Sequence, residues 1–170
     1  MKILHTISGL DSSDKAEYLN EAKAKYDSYS TDVWEKNYFD ADTGGFVVTH
    51  KGRIALSQKS DNELKKFNKE QNMCQVLAKN GYAVEHLDDR NGNSYDIHLN
   101  GIKADLKKTG SHNNIVNYAK EAIRQQGAEI VIFEFEKETD MIHAEILQLK
   151  RKGIHGKYYF SKKKDVIYDL

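Results

Sequence analysis

Asn100-Gly101, set between two runs of alternating apolar and polar residues, constrains this chain more than any other feature. Asn-Gly is the strongest short-range hairpin signal, because the two central residues of the favoured two-residue turn both need positive φ. With Asn100 and Gly101 as the turn, Leu99 faces Ile102, and counting outward sets Asp96 against Asp105. Ile97, Leu99, Ile102, Ala104 and Leu106 then share one face, while Asp96, His98, Lys103, Asp105 and Lys107 share the other. Directly opposed like charges in such a ladder repel. Two carboxylates placed this way ask for a compensating charge. A divalent cation held by oxygen ligands would supply it, and Lys107 adds a fixed positive charge on the same face. That layout suits metal-dependent phosphodiester chemistry.

A second carboxylate signal lies upstream. Ser60 followed by Glu63 is a capping box that opens a helix of about twenty residues, closed by Asn80-Gly81. Its apolar stripe carries Phe67, Met73, Cys74 and Leu77, and Glu70 projects into the middle of that stripe. Burying a carboxylate costs several kcal/mol unless it is paired or binds a metal.

The remaining elements follow from periodicity. The spacing predicts a polar helix over 13–29, an irregular stretch over 30–45, a short strand or hairpin at 46–50, and a strand over 82–87. Beyond the hairpin, a helix capped by Ser111 or Asn113 runs to about Gln126, with Ile115, Val116, Ala119, Ala122 and Ile123 as its buried stripe. A buried central strand follows at 129–135, then a helix at 140–151 and strands at 157–161 and 165–169. The expected class is α/β: a mixed central sheet with helices on both faces and a small N-terminal helical extension, residues 1–58, before a compact domain at 59–170.

Composition narrows the class by exclusion. The single Cys74 rules out an intramolecular disulfide framework and a Cys-rich zinc site, which points to work in a reducing cytosol, either directly or after delivery. No apolar run approaches membrane-spanning length, and the first residues do not read as a signal peptide. Net charge is zero, but residues 148–170 concentrate Lys150, Arg151, Lys152, Lys157, Lys162, Lys163 and Lys164 against Asp165 and Asp169. With Tyr158, Tyr159 and Phe160 interleaved, this segment could meet phosphates and stack on bases, or it could be a strand edge guarded by lysines. His155-Gly156-Lys157 is its best candidate for substrate contact, and would also be the best centre of a histidine acid–base ribonuclease.

Glu70 on a first helix, Asp96 on a strand and Asp105-x-Lys107 on the next resemble the PD-(D/E)xK nuclease superfamily over roughly residues 60–136. Tyr95 stands where that superfamily usually has proline, a position that shapes the strand entry and binds no ligand. A closer resemblance is to the C-terminal nuclease domains of contact-dependent inhibition effectors. It rests on Glu70, Leu77-Ala78, Gly81-Tyr82, and Lys120, Arg124, Gln125 and Gln126 ahead of an apolar strand. The resemblance implies a restriction-endonuclease-like core and a nuclease using Mg²⁺ or Mn²⁺. Glu70, Asp96 and Asp105 would be metal ligands, and Lys107 would complete the catalytic set. Gln126 and Lys120 would meet the scissile phosphate, and Ser111 and Asn113 would hold substrate from the neighbouring loop. Several such toxins cleave tRNA, so RNA ranks ahead of DNA, with cytoplasmic action, delivery into a target cell and a neutralising immunity protein. The alternatives are a DNA endonuclease of restriction or repair type from a mobile element, and a non-catalytic nucleic-acid or protein binding module that keeps the fold.

Overall fold

The computed structural model describes residues 9–89 and 94–170. The chain is α/β, with eight strands in mixed parallel and antiparallel pairing and five helices among the described residues. It divides into two compact units, one of Met1–Asp88 with His98–Gly101, the other of Asp89–Ile97 with Ile102–Leu170. No helix among the described residues is long and apolar enough to cross a membrane.

The first unit opens with α1 (Ser12–Ser28), capped by Asp11, whose carboxylate accepts from the Asp14 N–H at 2.8 Å. β1 (Trp34–Phe39) runs antiparallel to β2 (Phe46–His50), and β2 runs parallel to β3 (Ala83–His86). Between β2 and β3 lie α2 (Lys51–Ser57) and α3 (Asp61–Lys79). The expected irregular stretch at 30–45 thus contains a strand. Its alternation is masked because Trp34, Lys36 and Tyr38 are only half-buried, and a bulge interrupts the register between Lys36 and Tyr38. Within the first unit β2 pairs with β3, and the division between the units falls at Asp88.

α3 matches its sequence signals. Ser60 Oγ accepts from the Glu63 N–H at 3.2 Å, and the helix stops at Asn80, ahead of Gly81 at φ 93°. Losing that cap in Ser60→Ala is expected to cost about 1 kcal/mol, read as a lower urea midpoint at unchanged slope. Met73, Cys74, Val76, Leu77 and Ala78 are buried, so Cys74 is a core residue. Gly45 is required at the start of β2, because a Cβ there would lie 1.8 Å from the Ala78 carbonyl oxygen.

The Asn-Gly turn forms as expected, with Asn100 at φ 49° and Gly101 at φ 81° joining β4 (Ile97–Leu99) to β5 (Ile102–Thr109). Asn100 also ties the turn to β3: its N–H donates to the Ala83 carbonyl and its Oδ1 accepts from the Ala83 N–H, both at 2.8 Å.

In the second unit, β5, β6 (Ile130–Phe135) and β7 (Gly156–Phe160) run parallel in that order. β8 (Lys163–Asp169) is antiparallel to β7. The crossovers are α4 (Ile115–Arg124) and α5 (Asp140–Arg151), and both pack on one face of these strands. Ile115, Ala119 and Ala122 of α4 meet Ile142, Ile146 and Leu149 of α5 over Val131, Phe133, Phe135, Tyr158 and Phe160. This overturns the idea that Tyr158, Tyr159 and Phe160 stack on bases. All three are buried, with Tyr158 stacked on Tyr168 at 5.1 Å between ring centroids. The lysines of β8 guard an exposed strand instead. α4 also begins later than expected. Neither Ser111 nor Asn113 caps it; the N-cap is Asn114, in the left-handed region at φ 66° with no side-chain capping bond. Ser111 is used in the preceding turn, where its Oγ accepts from the Asn113 N–H at 3.1 Å.

Candidate active site

Register decides which side chains on β5 share a face. Asp105 lies beside Val131 and Lys107 beside Phe133, so both project toward the side covered by α4 and α5. Leu106 lies beside Ile132 and Lys108 beside Glu134, on the opposite side. Asp105 is 1 % exposed. Its Oδ2 is 3.1 Å from Lys107 Nζ, which in turn lies 3.9 Å from Glu121 Oε1 on α4. The Gln126 amide, just past the end of α4, abuts the same carboxylate. Turned with its NH₂ toward Asp105, it donates to Oδ1 at 2.9 Å and also to Oδ2. Turned the other way, its oxygen would face only the two carboxylate oxygens and make no hydrogen bond, so the donating orientation is the satisfied one.

Asp96 reaches this cluster differently from the cross-strand geometry expected of it. It precedes β4 and is not a strand residue. Its N–H donates to the Ala104 carbonyl at 3.1 Å, and its Oδ2 accepts from the Leu106 N–H at 2.8 Å. Main chain and side chain thus bracket position 105. The Tyr95 N–H donates to the Gln126 carbonyl at 3.1 Å, which ties the same segment to the end of α4.

Asp105, Lys107 and Gln126 are therefore brought together, and Asp96 is held at the flanking backbone. Ser111 and Asn113 are exposed in the β5–α4 loop, and Lys120 is half-buried on α4. His155 is exposed. Lys157 is not available to substrate: it is 2 % exposed, ion-paired with Asp169, and lies beside Ile132 on the side away from Asp105 and Lys107. Sequence reasoning missed Glu121. Its only signal was an acidic position within the α4 segment that also carries Lys120 and Gln126.

Glu70 belongs to the first unit, where it is 2 % exposed. Its Oε2 accepts from Arg53 Nη2 at 2.8 Å and Nε at 3.2 Å, and lies 2.8 Å from His86 Nε2. His86 stacks on Phe67 at 5.5 Å, its Nδ1 is 2.7 Å from Gln71 Nε2, and Gln71 continues to Thr49 Oγ1 at 2.8 Å. Arg53 lies over the Phe67 ring, with Nη1 buried and lacking a hydrogen-bond partner among the described residues. Burial alone would raise the Glu70 carboxyl, but the His86 hydrogen bond and the Arg53 guanidinium outweigh it and hold it below the ordinary range. A depressed folded value means this carboxylate contributes stability above the unfolded value of 4.5, and loses it as pH falls through the folded value. The expected result is a Glu70→Gln stability deficit that is full at pH 7 and shrinks steadily below pH 4.5 in urea titrations.

Among the described residues no group of three or more His, Cys, Asp or Glu side chains is assembled to hold a metal ion. Mg²⁺ asks less of a protein: one or two carboxylates, with water completing its octahedron. Asp105, Asp96 and the Leu106 carbonyl are all hard oxygen donors, so their chemistry fits such an ion. No protein-family model matches this chain, and no curated protein does. Among solved structures, a chain of the CdiA-CT/CdiI toxin and immunity complex from Burkholderia pseudomallei is similar at 18 % identity and a TM-score of 0.50, covering 66 % of this chain and 89 % of that one. What this chain shares with that toxin–immunity complex is its fold.

Proposed function

We propose that this chain is a metal-dependent nuclease that hydrolyses phosphodiester bonds in RNA, with tRNA foremost. In this reading it acts as a delivered toxin in the cytoplasm of its target and is neutralised by an immunity protein. The observation that carries the chemistry is the packing of Lys107 and Gln126 against the buried Asp105 carboxylate, with Asp96 fixed beside it. The fold shared with a chain of a toxin–immunity complex supports the toxin and immunity parts of the reading.

A bound Mg²⁺ or Mn²⁺ would supply Lewis-acid polarisation of the phosphoryl oxygen and a more acidic water. Asp105 and Asp96 would hold it, with the Leu106 carbonyl as a further donor, and the Gln126 amide would meet the scissile phosphate. Lys107 places its ammonium beside the reacting phosphate, where it orients the attacking water and offsets charge growing on the phosphoryl oxygens. Glu121, across from Lys107, holds that ammonium in position. Lys120, Ser111 and Asn113 line the approach from α4 and the β5–α4 loop. The oxygen donors in this reading come from the second unit, since Glu70 Oε2 is taken by Arg53 and His86.

The test incubates the protein with total RNA, single-stranded DNA and plasmid, each with Mg²⁺, with Mn²⁺ and with EDTA. Cleavage of RNA that needs the metal and is lost in Asp105→Asn supports the proposal. Cleavage of plasmid alone would reassign the chain as a DNA endonuclease. Intact substrates under every condition would leave a non-catalytic binding module.

A further inference from the structure

α4 presents a second feature beside the candidate centre. Lys120 and Arg124 on this helix and Lys152, just past α5, line one groove of ≈ 390 Å³ whose floor is Ala119, Ile123 and Ile154. None of these three cations has an ion-pair partner among the described residues, although the chain as a whole is charge-balanced. Unneutralised cations along one groove attract an anion, and the apolar floor asks for an anion with an apolar body. The volume lies toward the small end of ligand pockets, which run from about 300 to 1,000 Å³. A duplex cannot enter a recess of that size, because its bases are stacked and paired inside. A nucleotide with a free base can.

The groove is also continuous with the centre along the helix. A neighbouring recess is lined by Lys120 and Arg124 together with Glu121, the residue that faces Lys107 across 3.9 Å. A strand whose scissile phosphate sits at Asp105 and Lys107 can therefore lay a flanking nucleotide over Lys120 and Arg124.

We propose that this groove is a subsite for one unpaired nucleotide flanking the cut, making single-stranded polynucleotide the substrate class. Lys120, Arg124 and Lys152 hold phosphate, and Ile123 and Ile154 receive the base. The proposal rests on the nuclease reading for its orientation to the centre. Its contacts are mainly electrostatic, so affinity should fall with salt, and each lost phosphate contact on a single strand should flatten the log–log salt slope by about 0.7.

The test measures fluorescence anisotropy of the full chain with a labelled ten-nucleotide RNA, the same sequence as single-stranded DNA, and the corresponding duplex, in EDTA so that no strand is cut. The expected result is at least tenfold tighter binding of single strand than duplex. Arg124→Glu and Lys152→Glu should each lose tenfold or more. Arg124→Ala should flatten the salt slope. Ile123→Ser should erode the preference for single strand while leaving the salt slope alone. Lys162→Ala, outside the groove, should bind normally, and circular dichroism should show all variants folded. Equal affinity for duplex and single strand, unchanged binding in the two charge reversals, or capture of polyglutamate in place of the oligonucleotide would overturn the subsite. Cleavage in Mg²⁺ is scored separately. A parent chain that cleaves RNA yet shows no single-strand preference, or no dependence of binding on the two charge reversals, rejects the subsite alone, and groove-dependent binding without cleavage rejects the nuclease reading alone.

Discussion

Replacing Lys107 by alanine is expected to lower metal-dependent RNA cleavage by about 10²–10³-fold while the protein still folds. The reason is placement. Lys107 Nζ is 3.1 Å from Asp105 Oδ2 and its side chain remains partly open to solvent, so it is the cation best able to reach a phosphate at this carboxylate. Lys108, one residue on, projects to the opposite side of β5 and pairs with Glu134 at 2.9 Å, so it cannot substitute. Lys107→Arg should recover part of the activity, because charge is retained while the fork geometry differs from an ammonium. The measurement is initial cleavage rate in Mg²⁺ beside a thermal melt. An alanine variant that cleaves at the parental rate would end the role given to Lys107, and a melt collapsed with the activity would mark the residue as structural.

The second large effect concerns stability. Glu70→Ala is expected to destabilise by about 3–5 kcal/mol, because it strands a buried guanidinium. For a chain of this size that is a fall in Tm of about 10 °C. Arg53 is fully buried, already carries one unsatisfied nitrogen, and would lose both bonds to Glu70 Oε2. Arg53→Met leaves the carboxylate with His86 Nε2 at 2.8 Å and Lys66 Nζ at 4.0 Å, and should cost less. The double variant Arg53→Met/Glu70→Leu should cost much less than the sum, because neither charge is then left alone. Additive losses would show that the two side chains act independently and that the pair is not the source of the stability.

These two expectations separate what local sequence carries from what it does not. The Asn100-Gly101 turn, the Ser60 cap, the stop at Asn80-Gly81 and the buried β6 strand were legible because each depends on neighbours within a few residues: a positive φ, a hydroxyl three positions from an N–H, a run of apolar side chains. Asp105 and Lys107 were legible for the same reason, since alternation along a strand assigns them one face. Asp96 was half-legible. Its proximity to β5 follows from the turn, but its use as a hydrogen-bond acceptor for the Leu106 N–H depends on where β4 ends. Lys157 misled because a lysine in a basic segment reads as exposed, and only the pairing of β6 with β7 buries it.

Glu70 shows the remaining limit. Helical spacing alone sent a carboxylate into an apolar stripe and required a partner for it. It could not say that the partners would be Arg53, seventeen residues earlier on another helix, and His86, sixteen residues later on a strand. Alternation, capping and turn chemistry are written into adjacent residues and survive without a tertiary structure. Which charge meets which carboxylate, and which lysine loses its water, is decided by helix packing and parallel strand pairing, which join residues far apart in sequence and leave no local trace.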